Sequence, residues 1–205
     1  MKLFRLTLGL VSTVAIAGML YYAYLVFMAD PLANKDEYQT YVSQGLRILD
    51  VSEPDWQVMV IAGSHEVDGS REKVWEAFSK VDKWGNWAGP IVRSAYWKAE
   101  PEWKVGARFV QDLYLGWPLE FIRTEEKVEQ VFIPDRVTYS RTVGTVRSVH
   151  FWRFEFQAGG KTKVTSVEVF HGSDIGYLRP IVEKRWQRFT DLALDGIAEY
   201  VQKQR

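Results

Sequence analysis

The sequence predicts an α+β domain: a curved seven-stranded antiparallel sheet wrapped on one long C-terminal helix, preceded by one transmembrane helix. Three observations carry this. From Trp56 onward, strand patterns follow one another across Gly and Pro turns, interrupted only by two short helical segments. The last element, Tyr177–Gln202, repeats apolar residues every three or four positions, the stripe of an amphipathic helix. And the run Leu6–Ala29 contains no charged residue.

That uncharged run comes first in the chain. At about 1.5 Å per residue it reaches roughly 36 Å as a helix, enough for a hydrocarbon core of about 30 Å. Tyr21, Tyr22 and Tyr24 lie in its outer half, where rings favour the lipid–water boundary, and Pro31 stops the helix. A cleaved signal peptide is the rival reading: Lys2 and Arg5 make a basic start, and Ala15-Ile16-Ala17 has the small-x-small pattern of a cleavage site. The apolar run continues from Gly18 to Ala29, which favours an uncleaved anchor. Lys2 and Arg5 place the N-terminus in the cytoplasm and the domain on the non-cytoplasmic side, although Lys35 and Arg47 weaken the bias. The expected organisation is an anchor at 1–29, a tether at 30–55 and a folded domain at 56–205.

In the tether, Tyr38, Tyr41, Val42, Leu46 and Leu49 share one helical face, which would lie on a membrane or pack on the domain. Ser52-Glu53-Pro54-Asp55 marks a turn. Trp56–Val67 reads as a strand, continuously apolar over Val58–Ala62 and so buried on both faces. Ser70 is an N-cap for a helix over Lys73–Val81, and a second short helix follows over Asp82–Ala88, ended by Gly89-Pro90. Six strands come next: Ile91–Ala99, Ala107–Leu115, Leu119–Val131, Arg136–Val143, Thr145–Ala158 and Lys161–His171. Pro101, Gly106, Gly116-Trp117-Pro118, Pro134-Asp135, Gly144 and Gly159-Gly160 separate them.

Composition narrows function. There is no cysteine, so disulfides and thiolate metal sites are excluded. Lys plus Arg and Asp plus Glu number 26 each, a balance unsuited to nucleic acid, whose binding needs excess positive charge. Nine Trp, ten Tyr and eleven Phe imply either a large aromatic core or a ring-lined cavity.

Several stretches together resemble the START-like (SRPBCC), polyketide cyclase/dehydrase superfamily. They are Ser70-Arg71-Glu72-Lys73-Val74-Trp75 with Trp84–Trp87, Gly106-Ala107-Arg108-Phe109, and Pro134-Asp135-Arg136-Val137-Thr138-Tyr139. Gly160-Lys161-Thr162-Lys163-Val164-Thr165 and Glu168-Val169-Phe170-His171-Gly172 complete the likeness. The resemblance covers residues 56–202 and implies a helix-grip fold with a hydrophobic ligand cavity. It leaves function open, since that superfamily includes lipid carriers, cyclases, hormone receptors and chaperone co-activators.

One turn sets the expected cavity face. If Gly159-Gly160 is a two-residue turn, His150, Trp152 and Phe154 lie opposite Val169, Val167 and Thr165, with His171 diagonal to His150. A three-residue turn would invert the whole set. The expected ligand-binding residues are Phe109, Leu113, Tyr139, Arg141, His150, Trp152, Phe154, Val167, Val169, His171, Val182, Trp186 and Phe189. The histidines would bond a ligand carbonyl or act as acid and base, or else are satisfied core residues. Arg141 would meet an acidic head group at the cavity mouth or lie on the surface. Glu100 with Glu102 and Glu125-Glu126 read as solvated pairs. No residue spacing points to a metal site or a cofactor, and no nucleophile elbow, P-loop or dinucleotide fingerprint occurs.

Two functional readings follow: a membrane-tethered binder or carrier of a lipid or other hydrophobic small molecule, and a cyclase/dehydratase-type enzyme using His/Tyr acid–base chemistry. A third, an interaction module with a filled core, would show large side chains plugging the concave face.

Overall fold

A computed structural model describes residues 2–27, 36–52, 54–99, 102–114, 116 and 121–204, with the backbone alone for 2–12 and 27. The expected helix stop at Pro31, the turn at Trp117-Pro118, and Glu53, Glu100 and Pro101 lie outside the described residues. Helix α1 spans Lys2–Phe27, and α2, Gln39–Ile48, follows a 3-10 turn at Asp36–Tyr38. Then come β1 (Val58–Val67), α3 (Arg71–Ser79), α4 (Trp84–Trp87), β2 (Val92–Trp97) and β3 (Arg108–Tyr114). The chain finishes with β4 (Phe121–Phe132), β5 (Arg136–Val143), β6 (Val146–Gln157), β7 (Lys161–His171) and α5 (Ser173–Lys203).

The seven strands form one antiparallel sheet in the order β1-β7-β6-β5-β4-β3-β2. Successive hairpins build β2 to β7, and β1 closes the far edge against β7. The long α5 lies across the concave face, so the molecule is α+β, a sheet gripping a helix. Two cores result. Inside, Phe78, Trp84, Trp87, Phe109, Trp152 and Phe154 pack beneath α3, α4 and α5. Outside, Val42, Leu46 and Leu49 of the α2 region cover Val58, Val60, Val149, Phe151, Val167 and Val169. This second core is why Val58–Ala62 is apolar on both faces, and it settles where the stripe of α2 goes: onto the sheet.

Ser70 caps α3 as its sequence suggests, its side chain accepting from the Lys73 amide at 3.5 Å. Helix α5 starts at Ser173, earlier than its apolar stripe predicts. Its first turn takes Gly172 as N-cap and carries Asp174, which complements the positive end of the helix dipole.

Two expectations are corrected. First, among the described residues no helix is long and apolar enough to cross a membrane. The far end of α1 is instead engaged by the domain. Val26 is 1% exposed and its carbonyl accepts from Arg179 Nη2 at 3.0 Å, while the Tyr22 hydroxyl donates to the Tyr177 carbonyl. The single-pass anchor at 1–29 and the non-cytoplasmic placement of the domain therefore do not stand. Second, the β6–β7 turn holds three residues, Ala158-Gly159-Gly160, because Gln157 pairs with Lys161. Both glycines take positive φ, 78° and 75°. His150 consequently faces Glu168, and Trp152 faces Ser166. Val167, Val169 and His171 move to the opposite sheet face from His150.

Candidate functional site

The site grows from strand alternation on the inner face of β3 to β7. Glu126 of β4 is ion-paired with Arg141 of β5, and Arg141 lies opposite Ser148 of β6. One step along, Tyr139 pairs with His150 and His150 with Glu168. Six polar or charged residues thus cross a concave face whose other residues are mostly rings and aliphatics.

Arg141 anchors this row. Its side chain is only 8% exposed, and it donates from Nη1 to Glu126 at 3.3 Å and from Nη2 to Glu168. Burial opposes its charge, but Glu168 and Glu126 hold it firmly protonated, its pKa raised. Phe170 and Trp186 flank the guanidinium with ring centroids at 5.8 and 5.9 Å. Glu168 also accepts from Ser148 Oγ at 2.9 Å and from Trp186 Nε1 at 3.2 Å, so α5 is tied to the row. Glu126 is wholly buried, and that burial pushes its carboxyl above the ordinary range against the pull of Arg141. Its Oε2 has no hydrogen-bond partner among the described residues, although Thr124 approaches closely enough to favour the ionised form.

Beside the charges runs a neutral chain of donors. Trp152 Nε1 donates to the Tyr139 oxygen at 3.0 Å, and the Tyr139 hydroxyl lies 3.2 Å from His150 Nδ1. His150 Nε2 lies 2.8 Å from Ser166 Oγ. Both ring nitrogens are thus engaged, and a neutral imidazole donates at one and accepts at the other. Burial, with Arg141 adding to it against the pull of Glu168, lowers the His150 pKa to about 4. Burial likewise raises Tyr139 well above its ordinary value, helped by Glu126 and Glu168.

Two cavities flank the row. The smaller, about 70 Å3, is walled by Trp84, Trp87, Tyr139, His150, Trp152 and Phe189. The larger, about 230 Å3, is walled mainly by Ile122, Val143, Val146, Ile175, Leu178 and Val182. Leu113, Arg141 and Trp186 line both and form the partition. Aromatic side chains fill the remaining interior: Phe78 alone touches the rings of Trp75, Trp84, Trp87, Trp103, Trp152 and Phe154. Gly196 of α5 permits this packing, since a Cβ there would fall 1.9 Å from the Trp87 carbonyl oxygen.

Of the thirteen expected ligand-binding residues, Leu113, Tyr139, Arg141, His150, Trp152, Val182, Trp186 and Phe189 line one or both cavities. Phe109 and Phe154 sit in the adjoining ring cluster. Val167 and Val169 lie under α2 on the outer face, and His171 sits at the sheet end with its Nδ1 3.3 Å from Arg147 Nη2. Glu126, Glu168, Ser148 and Ser166 were not anticipated. Glu126 was legible in part: Thr124, Glu126 and Val128 alternate on one face of β4, whereas Glu125 points out to Lys98 and Arg108. Glu168 was hidden by the turn length alone. Among the described residues, no three His, Asp or Glu side chains are grouped to hold a metal ion.

Residues 59–202 match a family model described as polyketide cyclase / dehydrase and lipid transport. No curated protein matches the sequence. Solved structures share the fold at low identity. A START superfamily protein from Mycobacterium smegmatis superposes with a TM-score of 0.59 at 10% identity, over 71% of this chain and 99% of that one. An aromatase/cyclase from a Streptomyces species gives 0.56 at 14% identity, covering 71% and 94%. A norcoclaurine synthase mutant from Thalictrum flavum, in complex with a transition-state analogue, gives 0.56 at 13%, covering 72% and 96%. At these identities the likeness establishes the fold.

Proposed function

The chain belongs to the polyketide cyclase / dehydrase and lipid transport family, and on that premise we propose that it binds a hydrophobic small molecule between the concave sheet face and α5. The observation that carries this reading is the pair of apolar cavities meeting at a buried polar row. Apolar walls supply affinity, at roughly 25 cal/mol per Å2 of surface removed from water, and a few fixed polar groups supply orientation. The polar groups are already ordered by one another, so little side-chain freedom is lost on binding.

A second reading, acid–base catalysis, is favoured by the 3.2 Å approach of Tyr139 to His150. Its chemistry fits less well. A general base or acid works best with a pKa near the operating pH, whereas burial drives His150 down to about 4 and Tyr139 up. Both stay neutral near pH 7, as suits a hydrogen-bonding pair that orients a ligand.

The test is to purify the full chain under native conditions, extract it with organic solvent and identify released molecules by mass spectrometry. An apolar compound near one equivalent is expected. A protein that releases nothing and takes up none of a panel of apolar compounds would contradict the reading and favour the filled-core alternative.

A further inference from the structure

We infer that the cavity selects against anions, and that its occupant is an aliphatic molecule bearing an uncharged oxygen, such as an alcohol or ester, placed at Arg141. This rests on the binding reading above and narrows it to one ligand class.

The argument begins with charge. Among the described residues, Arg141 is the only Lys or Arg on the walls of either cavity. Glu168, on the wall of the smaller one, already takes its charge, and Asp174 adds a carboxylate on the wall of the larger. Glu126 lies behind the guanidinium. Whether Glu126 is ionised or not, the sum over these groups is never positive. A carboxylate or phosphate entering the cavity would lose its hydration without meeting net positive charge, a cost that excludes it. An uncharged oxygen carries no such cost.

Hydrogen-bond capacity points the same way. A guanidinium has five N–H donors. The carboxylates engage one donor on each of Nη1 and Nη2, and Arg141 borders both cavities. Trp87, on the wall of the smaller cavity, has a buried indole N–H with no partner among the described residues. The Thr124 hydroxyl, on the wall of the larger cavity, also lacks a partner among the described residues and can donate, whereas the unpaired Glu126 Oε2 is on neither wall; a ligand acceptor therefore fits the unused wall groups.

Size and lining set the rest of the molecule. A cavity of about 150 Å3 takes a benzene, roughly 25 Å3 per heavy atom. The 230 Å3 cavity then holds about nine heavy atoms. Its walls are Ile, Leu and Val side chains far more than rings, and they suit an alkyl chain.

The test uses the full chain at pH 7.5 with three probes, 1-octanol, octanoate and cyclohexane, and follows tryptophan fluorescence, to which Trp186 on the partition contributes. Octanol should bind on the order of tenfold or more tighter than octanoate. Octanoate binding as tightly as octanol would overturn the inference while leaving the cavity in place. Failure of all three, cyclohexane included, would overturn the binding reading itself. Glu168→Gln raises the site charge by one and should shift the preference towards octanoate by about tenfold. An unchanged ratio in the folded variant would contradict the charge argument. Should Glu168→Gln not fold, Asp174→Asn, at an exposed position, tests the same sign, and no gain in octanoate affinity would count against the inference.

Discussion

His150 illustrates how surroundings decide what a side chain can do. An imidazole ordinarily titrates near 6.5, but here it is buried beside Arg141, and its pKa falls to about 4. As pH drops through 6.5, the unfolded chain takes up this proton first, so the folded state loses stability from about pH 6.5 down to about pH 4 and no further. At about 1.4 kcal/mol per pH unit, the loss over that window is about 3 kcal/mol. Glu126 works in the opposite sense, because its raised pKa lets the folded state take its proton first as pH falls. Comparing urea melts of the protein and of His150→Gln between pH 4 and 7 isolates the histidine. The variant should lack the His150-dependent loss, and parallel curves would contradict the assignment. Glu168 is the costlier residue to lose. Glu168→Ala removes one of the two carboxylates that hold the Arg141 guanidinium and leaves the Ser148 and Trp186 donors without their acceptor, and should cost about 3–5 kcal/mol in chemical denaturation.

Among the elements, the β6–β7 hairpin carries the most consequence. Its strands, to within one residue at their ends, and its glycine turn were legible from alternation and turn chemistry, and so was the inward face of β6. The pairing was not, because Ala158 belongs to the turn and one residue shifts every partner. A period-two pattern distinguishes faces only when one face is polar, and β7 is buried on both over 164–170. Apolar Val167 and Val169 therefore read as cavity, although they serve the outer core under α2, while Glu168 fell on the opposite face. Helix α5 shows a different dependence, on close approach. Gly196→Ala should gain up to about 1 kcal/mol in helix propensity, yet the new methyl would collide with the Trp87 backbone. The expected net outcome is a loss of about 1–3 kcal/mol, read as a lowered melting temperature.

For the whole molecule, the fold followed from the order of its elements, since an antiparallel run closed by an amphipathic helix has few ways to bury both apolar faces. The N-terminal run misled because an uncharged stretch satisfies lipid and protein neighbours alike. The structure shows its far end held by Arg179 and Tyr177, contacts that no local pattern encodes. The interior lies between a solid core and an open pocket: rings close one end, and aliphatic walls leave space at the other. The central claim is that this space binds an apolar molecule, and methyl-detected NMR of the full chain titrated with 1-octanol tests it most directly. Saturable shifts are predicted at Ile122, Val143, Val146, Ile175 and Val182, with Val149, Val167 and Val169 on the outer face unmoved. The absence of any saturable shift, or shifts confined to the outer valines under α2, would contradict it.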